Sequence, residues 1–171
     1  MQNRSSASPV ASDSLAQCLA TELNWLEQCI TLRMTANDPA LSIDAVSLPA
    51  PPSFPDHDFA WGDFVCQHQL GTDERLVLLL ALAPHIKPGI TALFLEEGQS
   101  KKAGLITSHT RAQLLPTAET ALFLVSGGDI AKRLAAAEMF DAQHVFFRKG
   151  VLDIVSSAKS GSQYDGELKM N

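Results

Sequence analysis

The chain has 171 residues, enough for one domain of ordinary size together with terminal segments. Its net charge of −6 disfavours binding to nucleic acid, since unspecific affinity for phosphate depends on Lys and Arg. Three cysteines without CxxC spacing and a polar start that does not resemble a signal peptide predict a cytoplasmic protein with reduced thiols.

An apolar repeat predicts a helix near the start of the chain, after a disordered lead over residues 1–11. The repeat spans residues 12–36, and we assign 12–48 to this amphipathic N-terminal element. Such a stripe packs against its own domain or serves as a partner surface, and both readings stay open. The residues of the stripe recur every three or four positions: Leu15, Leu19, Leu23, Leu26, Ile30 and Met34.

A proline-rich segment over residues 49–57 is predicted to link this helix to the rest of the chain. Four prolines between Pro49 and Pro55 favour extended backbone. A plain connector is the simpler interpretation, and a PxxP ligand is the alternative. The domain proper is predicted to follow over residues 58–156.

An apolar helix is predicted at the centre of that domain, after a short amphipathic helix over residues 58–69. Thr72 is expected to cap it, and Pro84 to stop it. Its run from Leu76 to Ala83 is apolar on every face, which is typical of a core helix. The run is far shorter than the ~20 residues of a membrane span, so no membrane partner is expected. Pro88 is predicted to open a further short helix that ends near Leu95.

Two capped helices are predicted after a polar surface loop over residues 96–114, whose basic side chains are candidate interaction residues. Thr117 should cap a helix over 117–126 that ends at two glycines. Asp129 should cap a second helix reaching Phe140, with Ile130, Leu134 and Ala137 along one side and Lys132 and Arg133 exposed. The basic residues of the loop are Lys101, Lys102 and Arg111.

A β-hairpin is predicted near the C-terminus. Residues 144–148 and 151–155 are rich in strand-forming side chains, with Lys149 and Gly150 between them as a two-residue turn. Residues 157–171 are expected to be a polar tail. The predicted fold is therefore mainly α with a small C-terminal β-hairpin, a winged-helix-like arrangement.

Three segments of the chain carry a resemblance to a protein family. The segment DERLVLLLALAPH at 73–85 resembles the motif ERLxLLLALAPH, and LPTAETALFL at 115–124 resembles LPTGETALFLL. Residues 127–133 are similar to GDDxxKR. The family is the AAA+ ATPases of contractile, phage-tail-like injection systems and related prophage loci. The match covers roughly residues 60–156, and it departs at Ala118, where the motif has glycine, and in the loop 96–114, which lacks a glycine-rich form.

The resemblance implies a non-catalytic N-terminal domain that recruits or regulates an ATPase through protein–protein contacts. Injection-system components and the parent's own ATPase module would be its partners. The motif GxxxxGK[ST] of a phosphate-binding loop does not occur in the chain. We therefore expect no cofactor here, with ATP and Mg²⁺ bound in a module that follows the tail.

The main alternative is a DNA-binding winged-helix regulator. A weak basic patch of four residues would then contact phosphate, although ordinary solvated charges are the favoured explanation of these residues. The patch would consist of Lys132, Arg133, Arg148 and Lys149.

Catalytic and metal sites have little support in the sequence. Cys66 and His68, with His57 nearby, lack the further ligands of a metal centre. Pairing of Cys66 with His85 or His109 as a nucleophile and base would require chance proximity in the fold. We therefore predict no metal, no catalytic residue and no enzymatic activity in this chain.

Overall fold

The fold is mainly helical, with two small antiparallel sheets. The computed structural model describes residues 9–36, 47–53, 60–95, 105–107, 114–155 and 162–171. The helices are α1 (Pro9–Ala36), α2 (Ala60–Gln67), α3 (Thr72–Ile86), α4 (Ala118–Ser126), α5 (Ile130–Ala137) and α6 (Val145–Arg148). Two 3-10 helices, Pro88–Leu95 and Glu138–Phe140, follow α3 and α5. The strands are β1 (Ile106–Thr107), β2 (Leu114–Leu115), β3 (Leu152–Val155) and β4 (Glu167–Met170).

Helix α1 is part of the single hydrophobic core and not a separate N-terminal element. Its later turns bury Leu26, Ile30 and Met34 among residues of α3, α4 and the first 3-10 helix. The helix already begins at Pro9, so the predicted disordered lead is wrong for residues 9–11. A proline suits the first helical turn because its missing N–H has no partner there.

Helix α3 lies at the centre of the core, as its apolar sequence predicted. Every residue from Arg75 to Ala81 is buried. Two details of the prediction are wrong. The N-cap is Gly71, with Thr72 as the first helical residue, and the helix continues through Pro84 to Ile86. The helix can pass Pro84 because only one main-chain hydrogen bond is lost, and Lys87 N still donates to Ala83 O at 2.8 Å.

Helix α4 confirms the predicted caps at both ends. Thr117 Oγ1 accepts a hydrogen bond from Thr120 N, and Thr120 Oγ1 accepts one from Thr117 N, at 3.1 and 3.0 Å. This reciprocal pair satisfies two N–H groups that the helix leaves unpaired. At the other end, Gly127 has φ 56° and its N–H donates to Phe123 O. Everything between these caps is buried except Glu119.

Helix α5 is capped by Asp129 as predicted, and the side that carries its large apolar residues is exposed. Asp129 Oδ1 accepts a hydrogen bond from Lys132 N at 3.0 Å. Ala136 and, just beyond the helix, Met139 reach the core. Ile130 and Leu134 share one side of the helix, and this side faces outward. The helix contacts α4, and Arg133 of α5 pairs with Glu119 of α4.

The predicted hairpin is wrong in its first strand. Residues 145–148 form α6, because Lys149 N donates to Val145 O and the His144 ring caps the helix through Phe146 N. Phe146 is fully buried in this arrangement. The Lys149–Gly150 pair therefore ends a helix and does not connect two strands.

The C-terminal sheet pairs β3 with β4, so the predicted tail is wrong for its last residues. The strands are antiparallel, with Leu152 opposite Met170 and Val155 opposite Glu167. Leu168 is buried, and its N–H donates to Pro116 O at 2.9 Å. Tyr164 O and Gly166 O accept hydrogen bonds from the first N–H groups of α4. The C-terminal segment thus closes the start of α4.

We predict that Gly127→Ala destabilises the protein more than Gly150→Ala. Both glycines have positive φ, at 56° and 63°, so each substitution strains the backbone by about 1–3 kcal/mol. Only at Gly127 would a Cβ also collide with Arg33, whose Cζ would lie 3.1 Å away, whereas nothing lies within 4 Å at Gly150. Urea unfolding measures the difference, and equal losses for the two variants would contradict this packing.

Candidate interaction surfaces

A buried ion pair joins the first three helices. Glu22 of α1 is fully buried, and its Oε1 accepts hydrogen bonds from Arg75 of α3 and from Trp61 Nε1 of α2, the latter at 3.0 Å. A buried charge requires a partner of opposite charge, because its loss of hydration costs several kcal/mol. The pair therefore fixes the positions of three helices that the sequence separates widely.

The proline-rich segment is held against the same ion pair. Arg75 Nη2 also donates to Pro52 O at 3.0 Å, and Trp25 Nε1 donates to Pro49 O at 2.9 Å. The Arg75 guanidinium lies over the Trp25 ring, 5.4 Å from its centre. Residues 47–53 are thus a strap fastened across α1 and α3.

The ion pair is enclosed by the protein, with Glu22 fully buried and Arg75 nearly so. Glu22 Oε2 and Arg75 Nε are buried and make no hydrogen bond to the protein. Burial and the nearby Glu22 carboxylate also raise the pKa of the Cys18 thiol, which makes it a poor nucleophile.

A second buried cation, Arg33, closes the C-terminal end of α4. Its Nε donates to Leu124 O at 2.8 Å and its Nη2 to Val125 O at 2.9 Å. These carbonyls carry the negative end of the helix dipole, so a cation is favourable there. Burial lowers the pKa of Arg33, although the arginine remains charged at neutral pH. Burial also raises the pKa of the neighbouring Cys29 to about 12.

Helix α5 presents an exposed apolar surface. Ile130 is 75% exposed and Leu134 is 69% exposed, and one helical turn separates them on the same face. Ala131 and Ala135 beside them are also exposed. Single exposed apolar residues are common, but a paired, protruding Ile and Leu on one face favours a protein contact. We call Ile130, Ala131, Leu134 and Ala135 the α5 surface.

An apolar groove runs along the first turns of α1. Its volume is about 530 Å³. Leu15 and Leu19 are half-buried, while the residues that follow them, Ala16 and Ala20, are exposed. Ile86, at the end of α3, closes one end and is 46% exposed. The groove is lined by Leu15, Ala16, Leu19, Ala20, Leu23, Asn24, Ile86 and Lys87.

The predicted basic patch is partly neutralised. Arg133 is half-exposed and pairs with Glu119 Oε2 at 2.5 Å. Lys132 lies near Asp73. Burial raises the pKa of the Asp73 carboxyl, and the positive charge of Lys132 opposes this rise in part. Arg148 and Lys149 are exposed at the end of α6, a different element from the α5 that carries the other two. The structure therefore does not present the four cations on one continuous helix face.

The predicted loop residues Lys101, Lys102 and Arg111 lie outside the described residues, as do His57 and His109. Within the described part of the chain, Cys66 is exposed, His68 packs against the Phe64 ring, and His85 is exposed at the end of α3. No group of three metal-binding side chains occurs in that part.

The helices that the structure describes include none that could cross a membrane alone. One bent pair, α3 with the following 3-10 helix, reaches the required length and composition together, at an angle of 114°.

Comparison with known proteins does not place the chain in a family. No protein-family model matches it, and neither a curated protein nor a solved structure is significantly similar to it. The resemblance carried by the three sequence motifs therefore stands without support from these comparisons.

We predict that Glu22→Leu destabilises the protein by about 3–5 kcal/mol, because Arg75 would stay buried without its partner. The double variant Glu22→Leu/Arg75→Met should regain much of this loss, since neither charge of the pair is then left buried. Glu119→Ala is the control, because the partly exposed pair with Arg133 contributes at most about 1 kcal/mol. Urea unfolding of the four proteins, wild type included, measures these effects. A loss for Glu22→Leu no larger than that of the control would contradict the anchoring role.

Proposed function

We propose that this chain is the non-catalytic, winged-helix-like N-terminal domain of an AAA+ ATPase of the contractile injection system type. In this proposal the domain recruits the ATPase to a protein partner in the cytoplasm or regulates it there. ATP and Mg²⁺ bind in the parent's ATPase module, which supplies the chemistry. Injection-system components are the proposed partners.

The exposed α5 surface is the observation that carries the interaction role. Ile130 and Leu134 project from a helix that is held at its start and at its middle. Asp129 caps the start of α5, and Arg133 ties its middle to α4 through Glu119. A rigid helix with two protruding apolar side chains suits a protein groove, where such anchors contribute most of the binding energy.

The positions of the three resembling segments agree with the proposal. Residues 73–85 form nearly all of α3, and 115–124 run from the last residue of β2 through most of α4, so both segments build the core. The third segment, 127–133, forms the turn after α4 and the first half of α5. The likeness is thus concentrated on the scaffold and on the helix that the scaffold presents.

The alternative, a DNA-binding winged helix, is less well supported by the same surface. A recognition helix offers Arg, Lys, Asn or Gln to base edges and phosphates. The outward side chains of α5 are mainly apolar, and Lys132 is the exposed cation of this helix. The apolar ones are Ile130, Ala131, Leu134 and Ala135. The net charge of −6 opposes approach to a phosphate backbone as well.

The test uses the full-length protein encoded by the reading frame that contains this chain. We expect a GxxxxGK[ST] motif after Asn171 and Mg²⁺-dependent ATP hydrolysis that residues 1–171 alone do not perform. Ile130→Ser/Leu134→Ser should leave basal hydrolysis unchanged. It should reduce co-sedimentation with purified injection particles at least about tenfold, because two apolar side chains that the partner would bury are lost. Val155→Ser is the control, since this exposed side chain lies on β3.

Three results would overturn the proposal. The first is the absence of a phosphate-binding motif downstream. The second is particle binding that the double variant leaves unchanged. The third is tight, salt-sensitive binding of residues 1–171 to duplex DNA that alanine at Lys132, Arg148 and Lys149 abolishes, which would establish the DNA-binding alternative.

A further inference from the structure

We propose that the α1 groove is an interface for a second copy of this chain, in which two α1 helices pack antiparallel about a two-fold axis. The proposal is independent of the α5 surface and of any ATPase. It rests on the shape and the charge of the groove. In both respects the groove of one copy is complementary to the same groove of a second copy.

The spacing of large and small side chains along α1 provides the shape argument. We place the two-fold axis at the height of the bond between Leu19 and Ala20. A residue of one copy then lies at the same height as the residue of the other copy for which the two numbers sum to 39. Leu23, which is 4% exposed and lies at the floor of the groove, is then opposite Ala16 of the other copy, at the centre of the contact. Near the axis, Leu19 packs on its own counterpart along one edge, and Ala20 meets its counterpart along the other. Alanines on one edge allow two helices to approach closely, and a two-fold interface requires such a self-complementary patch.

The charges at the ends of the groove provide the second argument. Lys87 pairs with Glu27 at 2.5 Å and keeps about half of its side chain exposed. Asp13 is exposed and lies on the same edge of α1 as Ala20. The antiparallel register places Asp13 of the second copy beside Lys87. Lys87 would then lie between two carboxylates, which favours this direction of packing over the parallel one.

The length of the groove sets the strength of the contact. The α1 residues that line the groove run only from Leu15 to Asn24, so the interface is at the small end of specific protein contacts. We therefore expect a concentration-dependent dimer, in which Ile86 is also covered.

Sedimentation equilibrium across a dilution series of the full chain tests the proposal. The mass should rise from 18.4 kDa towards twice that value with concentration. Ala20→Lys should weaken the dimer at least about tenfold, because two copies of the new charge would meet at the axis. Both Ala20 and Gln28 are exposed on α1, but Gln28 lies away from the groove, so Gln28→Lys is the matched control. Circular dichroism should show both variants folded.

Cysteine cross-linking tests the register. In a Cys66→Ser background, Ala20→Cys should form a disulfide between two copies under mild oxidation, whereas Gln28→Cys should not. A chain that stays monomeric at every concentration would overturn the proposal. So would a dimer that Ala20→Lys leaves intact, or one in which Gln28→Cys cross-links and Ala20→Cys does not.

Discussion

The burial of α3 on every face is the constraint on which the rest of the structure depends. A helix that is apolar all round must be covered on all sides, because any exposed side would leave a large apolar area in water. Helix α1, the 3-10 helix Pro88–Leu95, α4 and strand β4 each contact it. The N-terminal helix and the C-terminal strand, which the sequence assigned to a separate element and a tail, are therefore both required to complete one core.

Buried charges set the orientation of the elements around that core. The hydrophobic effect is non-directional, whereas hydrogen-bonded charges have few acceptable positions. Arg75 binds Glu22 and the carbonyl of Pro52, so α3, α1 and the strap must align. Arg33 binds the last carbonyls of α4, which orients that helix and the glycine turn that leads to α5. The α5 surface is thus positioned by contacts that start in α1.

Local signals in the sequence predicted the helices well and the tertiary partners poorly. The caps at Thr117 and Asp129 and the stop at Gly127 depend on neighbouring residues only, and the structure confirms them. The hairpin was wrong because Val145–Phe147 has strand-forming side chains, while the true partner of β3 is the short segment 167–170, whose pairing depends on distant contacts. Glu22 and Arg75 look like solvated charges in the sequence. Periodicity placed Ile130 and Leu134 on one face of α5 but could not tell which face the core would cover.

The central claim is that α1, α3 and α4 form one cooperative core that holds α5 in place. Native-state amide hydrogen exchange of the whole chain, followed with increasing denaturant, tests it most directly. The account predicts that amides in the buried turns of α1, around Leu26 and Ile30, exchange with the same highest free energy as those of α3 and α4. Exchange of these α1 amides at a clearly lower free energy, with α3 still protected, would show that α1 is a separate unit and would contradict the account.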